Sequence, residues 1–160
     1  MSTPYNVIFD KFIKKLHGDK SFFNYKGLSE SEINDLVKEH LISLLNTSID
    51  RLYTYGLPDF DFYDKNDTLQ TFNGELVNQE VSLLSDLMYL AYFEEDKNKL
   101  RALGLVFKTS EINTVFSPAN DRKTFLDMVK NIESKSINDI NNYFARDRLT
   151  WQFKSVYGGN

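Results

Sequence analysis

The sequence predicts a mainly α fold: a four-helix bundle with a long structured connection, which admits a short β-hairpin, between the second and third helices. Three observations predict it. Apolar residues recur at helical spacing in four separate stretches. Serine, threonine and proline stand where helices should start, and glycine where they should stop. The 160 residues are 41% hydrophobic with only 3 prolines and 7 glycines, a globular composition. A chain of this length buries about 70% of its unfolded surface, which leaves room for one real core. Residues 1–145 read as the helical domain and 146–160 as a C-terminal arm or tail.

The first helix is expected to start with Thr3 as N-cap and Pro4 at the first helical position, where a missing N–H costs nothing. Ile8, Phe9, Phe12, Ile13 and Leu16 keep its apolar face, and Gly18 ends it. Phe22, Phe23 and Tyr25 weight the following loop. Helix two carries the clearest start: Ser29 and Glu32 form a capping box, and Leu28 and Ile33 a hydrophobic staple. Ile33, Leu36, Val37, Leu41, Leu44, Leu45, Ile49 and Leu52 then share one face until Gly56 and Pro58.

Residues 57–77 admit a loop or a short β-hairpin. Asp59 to Tyr63 alternates like a strand, Asp64 to Asp67 resembles a turn, and Thr68 to Phe72 could return. Two strands alone are marginal in water, so they would lie on the helices or pair with another subunit.

Helix three starts near Asn78. From Val81 to Phe93 it is apolar nearly all round, which predicts burial on more than one side. It ends near Leu103 and Gly104, and an irregular link runs from Leu105 to Phe116. Helix four starts at Ser117 and Pro118 and carries a stripe from Phe125 to Tyr143. Trp151 to Asn160 reads as a mobile tail.

Charge and composition exclude several classes. With 19 basic and 23 acidic residues the chain lacks the cationic surplus of a dedicated duplex binder. The absence of cysteine removes disulfides and thiol nucleophiles. No apolar run approaches the roughly 18 residues of a membrane span, and the opening residues do not read as a secretion signal. His17 and His40 stand apart from any metal-ligand spacing. Asp59, Asp61, Asp64 and Asp67 fail the calcium-loop pattern in both registers: a loop from Asp59 has Asp64 and Gln70 where glycine and glutamate are needed, and one from Asp61 has Asn66 and Phe72. They read as a solvated loop. Ser82 and Ser85 lack a nucleophile's setting, and Glu94 and Glu95 point in different directions. No cofactor, no metal and no enzymatic activity are expected.

The C-terminal end is different in kind. Arg146, Arg148 and Lys154 are interleaved with Phe144, Trp151, Phe153 and Tyr157. These residues suit cations complementing a helix dipole, an aromatic-basic arm that docks on a protein, because Trp, Tyr and Arg dominate interface hot spots, or a contact with nucleic acid.

Three short islands carry a likeness to a known family: Pro4-Tyr5-x-Val7-Ile8-Phe9-Asp10-x-Phe12, Phe72-Asn73-x-x-Leu76, and Phe116-Ser117-Pro118-Ala119-Asn120. With the order of elements over residues 4–144, they resemble the neck adaptor (head–tail connector, head-completion) proteins of tailed bacteriophages. The resemblance implies a structural virion protein with no enzyme activity. It would form a ring of about twelve copies between the portal at the capsid vertex and the next neck or tail component. DNA would pass through the ring without sequence-specific binding, and the chain would reside in the host cytoplasm during assembly and in the virion neck afterwards. The family's C-terminal segment tends to dock on the portal, which would suit Arg146, Arg148, Trp151, Phe153 and Tyr157. The alternative is a small helical regulatory module that binds a host protein one to one.

Overall fold

The structure is a computed structural model that describes residues 2–16, 29–106 and 119–155. Among these residues four helices form the body: α1 Asn6–Lys15, α2 Glu30–Tyr55, α3 Asn78–Val106 and α4 Ala119–Ala145. Three two-residue strands, β1 Thr3–Pro4, β2 Lys65–Asn66 and β3 Thr71–Phe72, make an antiparallel sheet in the order β1-β3-β2. The fold is mainly α with a short hairpin between the second and third helices, as expected.

Helix α3 is the centre of the molecule and packs against each of the other three helices. Its apolar circumference explains the position: Leu84, Leu87 and Met88 are fully buried, and Val81, Leu83, Leu90, Ala91 and Tyr92 nearly so. Helix α1 lies along α3 in the same direction, since Lys11 reaches Ser82 and Lys15 reaches Ser85 and Asp86. Helix α4 runs the opposite way, with Phe125 against Phe93, Lys135 near Asp86, and Tyr143 on Glu80. Helix α2 begins with the expected capping box: Ser29 Oγ accepts from the Glu32 N–H at 3.4 Å, and Glu32 Oε2 accepts from the Ser29 N–H at 2.9 Å. Its stripe is buried from Leu41 onward, whereas Leu36 is exposed.

The start of helix one is a correction. Thr3 and Pro4 form β1 rather than an N-cap and first turn, and α1 begins after Tyr5 with no side-chain cap. The Thr3 hydroxyl is occupied elsewhere, accepting from the N–H of Leu76 at 2.8 Å. The missing N–H of Pro4 is tolerated because β1 is an edge strand.

The hairpin is displaced from its expected place. Its strands are 65–66 and 71–72, its turn is 67–70, and Asp59–Tyr63 is not a strand. Phe62 is fully buried, so the alternation does report an inward face. Its backbone N–H, however, donates to the Tyr53 hydroxyl at 3.1 Å rather than to a strand partner. The third strand comes from the chain's own N-terminal segment: Thr3 pairs with Phe72 and Pro4 with Thr71.

Helix three extends through Val106, past Gly104. Gly18, Leu28, the link 107–116, Ser117 and Pro118 lie outside the described residues, so the expectations placed on them are not addressed. No helix among the described residues is long and apolar enough to cross a membrane.

Candidate functional site

The aromatic-basic segment sits at the end of the bundle where the sheet, the start of α3 and the ends of α2 and α4 meet. A Cβ on Gly56, just past α2, would lie 3.4 Å from the ring of Phe144 in α4. After Ala145 the chain turns back on itself. Asp147 Oδ1 accepts from the N–H groups of Leu149 and Thr150 at 3.1 and 2.8 Å, an Asx-type turn. Those bonds hold the Asp147 carboxyl below the usual carboxylate range. The return is closed by Asp147 N–H to Gln152 O at 2.7 Å, Lys154 N–H to Ala145 O at 2.8 Å, and a bridge between Arg146 and Phe153. Trp151 is forced to φ +59°, a conformation that bulky residues rarely adopt.

Arg148 makes the deepest contact. Its Nε donates to Glu80 Oε1 at 2.6 Å and its Nη2 to Glu80 Oε2 at 3.0 Å, while Nη2 also reaches the carbonyl of Glu75. The guanidinium lies 4.8 Å from the centre of the Phe60 ring, within cation–π range. Glu80 is 0% exposed. Besides Arg148 it accepts from the Tyr143 hydroxyl at 3.1 Å and from the N–H of Val77 at 2.9 Å, the latter capping α3. Every buried side-chain N and O among the described residues has a partner. Burial, followed by the Glu80 charge, pushes the Tyr143 phenol well above its ordinary value. The hydrogen bond to Glu80 raises Arg148 further.

The other sequence candidates separate from this cluster. The Arg146 guanidinium lies 4.0 Å from the Phe153 ring and 5.6 Å from the Trp151 ring, and it donates to Trp151 O at 2.9 Å. Trp151 is half-buried against the core. Phe153 is 67% exposed and Leu149 77%. Tyr157 lies outside the described residues. Of the five candidates, then, Arg148 is committed inward, Arg146 and Trp151 are tied within the segment, and Phe153 faces out. The described part of the expected mobile tail, through Ser155, is folded onto the body, with Lys154 paired to Asp59 at 2.9 Å.

Sequence reasoning did not single out Glu80, and it placed Tyr143 only at the end of the apolar stripe of helix four. Nothing local signals their partner, because Arg148 is 68 residues from Glu80.

The four aspartates are all exposed, as a solvated loop predicts, and each also accepts from a separate neighbour. Asp59 takes Lys154, Asp61 the Tyr53 hydroxyl, Asp64 the Asn73 amide, and Asp67 both Lys65 and the Tyr5 hydroxyl. Lys65 and then Tyr5 hold the Asp67 carboxyl low, while burial and Asp67 push the Tyr5 phenol up. His40 meets Glu95 at 2.9 Å. An open cleft of about 330 Å³ between α3 and α4 includes Asp86, Lys135, Asp139 and Trp151 in its lining. Its central cation is already spanned by carboxylates, Lys135 lying 2.8 Å from Asp139 and 3.6 Å from Asp86. No group of three or more His, Asp or Glu side chains among the described residues is placed to hold a metal ion.

Comparison with protein-family models finds no match, and comparison with curated proteins and with solved structures finds none either.

Proposed function

We propose that this chain is a structural building block of a phage neck: an adaptor that assembles as a ring, meets the portal, and seats the next component. The observation that carries the reading is the apolar surface around the sheet end of the bundle. Leu57 is 86% exposed and Leu69 71%, and Leu149 and Phe153 are exposed as well. Large aliphatic and aromatic side chains held out by folded turns suit burial against protein partners. A second support is the meeting of two of the resembling islands. Pro4 pairs with Thr71, Leu76 donates to Thr3 beside Pro4, and the Tyr5 and Phe72 rings stand 5.1 Å apart. Residues that looked like separate fragments of a family pattern build one structural unit.

The test is the mass and shape of the purified chain, alone and mixed with a phage portal, by sedimentation and electron microscopy. A closed ring or a portal-bound ring is the expected result. A persistent monomer that never sediments with portal, or a one-to-one complex with a host protein, would overturn it in favour of a regulatory module.

A further inference from the structure

The crevice around Glu80 is a built cation site. It has a carboxylate with no exposure to solvent, an aromatic ring to face a flat cation, and the carbonyl of Glu75 at its mouth. Both carboxylate oxygens face donors of one guanidinium, the fork geometry that distinguishes arginine from lysine. The ligand it accepts is therefore chemically defined.

Beyond the Arg148–Glu80 contact, the segment that supplies the ligand is tied to the body by the half-buried Trp151 and the half-exposed pair Lys154–Asp59, while its outward side chains Leu149 and Phe153 bury little. Trp151 sits in a left-handed conformation that extension would relax. Leaving Glu80 empty is costly because a buried carboxylate needs a counter-charge. The segment can depart only if an equivalent arginine takes its place. A second copy of the chain carries that arginine on an identical segment, and exchange of identical elements is a low-cost route to assembly.

We propose that the Glu80 crevice is a receptor for an arginine side chain, and that in the assembled state its occupant is Arg148 from a neighbouring copy, the segments from Arg146 to Ser155 being exchanged around the ring. The inference rests on the ring reading above. Because the chain contains no cysteine, two full-length variants can each carry a single one: Asp59→Cys on the body and Lys154→Cys on the segment. Mixed in equal amounts, allowed to assemble, and treated with a short bismaleimide, they can form a 59–154 link only if one copy's segment lies on the other copy's body.

The expected result is covalent mixed dimers in the ring fraction, reduced at least tenfold when the Lys154→Cys chain also carries Arg148→Met. Rings that sediment normally without such dimers would overturn the exchange and leave the adaptor reading standing. Failure of the parent chain to form rings would remove both. A separate measurement isolates the receptor itself. Methylguanidinium should raise the melting temperature of Arg148→Met, with equal tetramethylammonium as control, and identical responses to the two ions would refute a guanidinium site.

Discussion

Arg148→Met is the sharpest probe of the described structure, and its effect follows from the asymmetry of the pair. The Glu80 side chain is 0% exposed and that of Arg148 20%. Removing the arginine therefore leaves a charge that cannot reach water, at a typical cost of about 3–5 kcal/mol. The lower end applies, because the Tyr143 hydroxyl and the Val77 N–H remain on the carboxylate. A loss of about 3 kcal/mol in a chain of this size lowers the melting temperature by about 6–12 °C. The double variant Glu80→Met/Arg148→Met should recover part of that loss, since an apolar pair carries no stranded charge. It will not recover all of it, because the cap on Val77 is gone. Urea unfolding followed at 222 nm measures both variants. A single variant within about 0.5 kcal/mol of the parent, the scatter of ordinary surface substitutions, would show that Glu80 is not dependent on Arg148. A double variant less stable than Arg148→Met would refute the charge argument itself.

Other substitutions read other parts of the same end. Thr3→Val should cost about 1–3 kcal/mol by leaving the buried Leu76 N–H without an acceptor, visible as faster hydrogen exchange at that amide. Gly74→Ala places a Cβ 2.6 Å from the Phe60 ring. That ring also packs on Phe62, Phe72 and Arg148, so a loss of about 1–3 kcal/mol in urea unfolding is expected, and an unchanged midpoint would mean that the ring yields freely. The raised phenols of Tyr143 and Tyr5 set an alkaline limit. A group whose folded pKa is raised contributes stability that is complete below its unfolded value, near pH 10, and is lost as pH climbs from there toward the folded value. The urea midpoint should therefore fall above about pH 10, and fall less steeply in Tyr143→Phe; equal slopes would refute the assignment. Phe153→Ser, which leaves the Arg148–Glu80 pair in place, should keep the parent's melting temperature while weakening portal association. Truncation at Arg146 would confound the two effects by also stripping Glu80 of its cation.

What was legible in the sequence was whatever is encoded within a few residues. Ser29 and Glu32 lie one turn apart, so their reciprocal cap could be read directly and is present. The nearly all-round apolarity of Val81–Phe93 foretold that α3 would be enclosed on several sides. The errors came where a distant partner overrode a local habit. Thr3 followed by Pro4 has the form of a helix start, yet the Thr3 hydroxyl serves an amide 73 residues away. Asp59–Tyr63 alternates like a strand because Phe62 must enter the core, but its backbone is satisfied by Tyr53 and local turns. Arg148 was singled out as an arginine among aromatics. Its engagement with a buried acid on α3 depends on how α4 lies against α3, and no spacing rule encodes that.

The sheet comprises only six strand residues, drawn from three places in the chain. Such a seam cannot nucleate folding, because closing its loops costs entropy before any burial compensates. The helices must associate first, and the seam then zips last. In unfolding the sequence of events reverses, so the Tyr5 amide, which donates to Gln70 O at 2.8 Å, should open to solvent before the interior of α3. During synthesis, the first helix must wait in an unlocked state until residue 76 has left the ribosome, and the bundle end is not sealed until Arg148 arrives. The bundle end is thus fastened last, by the strand at Thr3–Pro4 and by Arg148, and loss of either would loosen a closure that most of the intervening chain has no part in making.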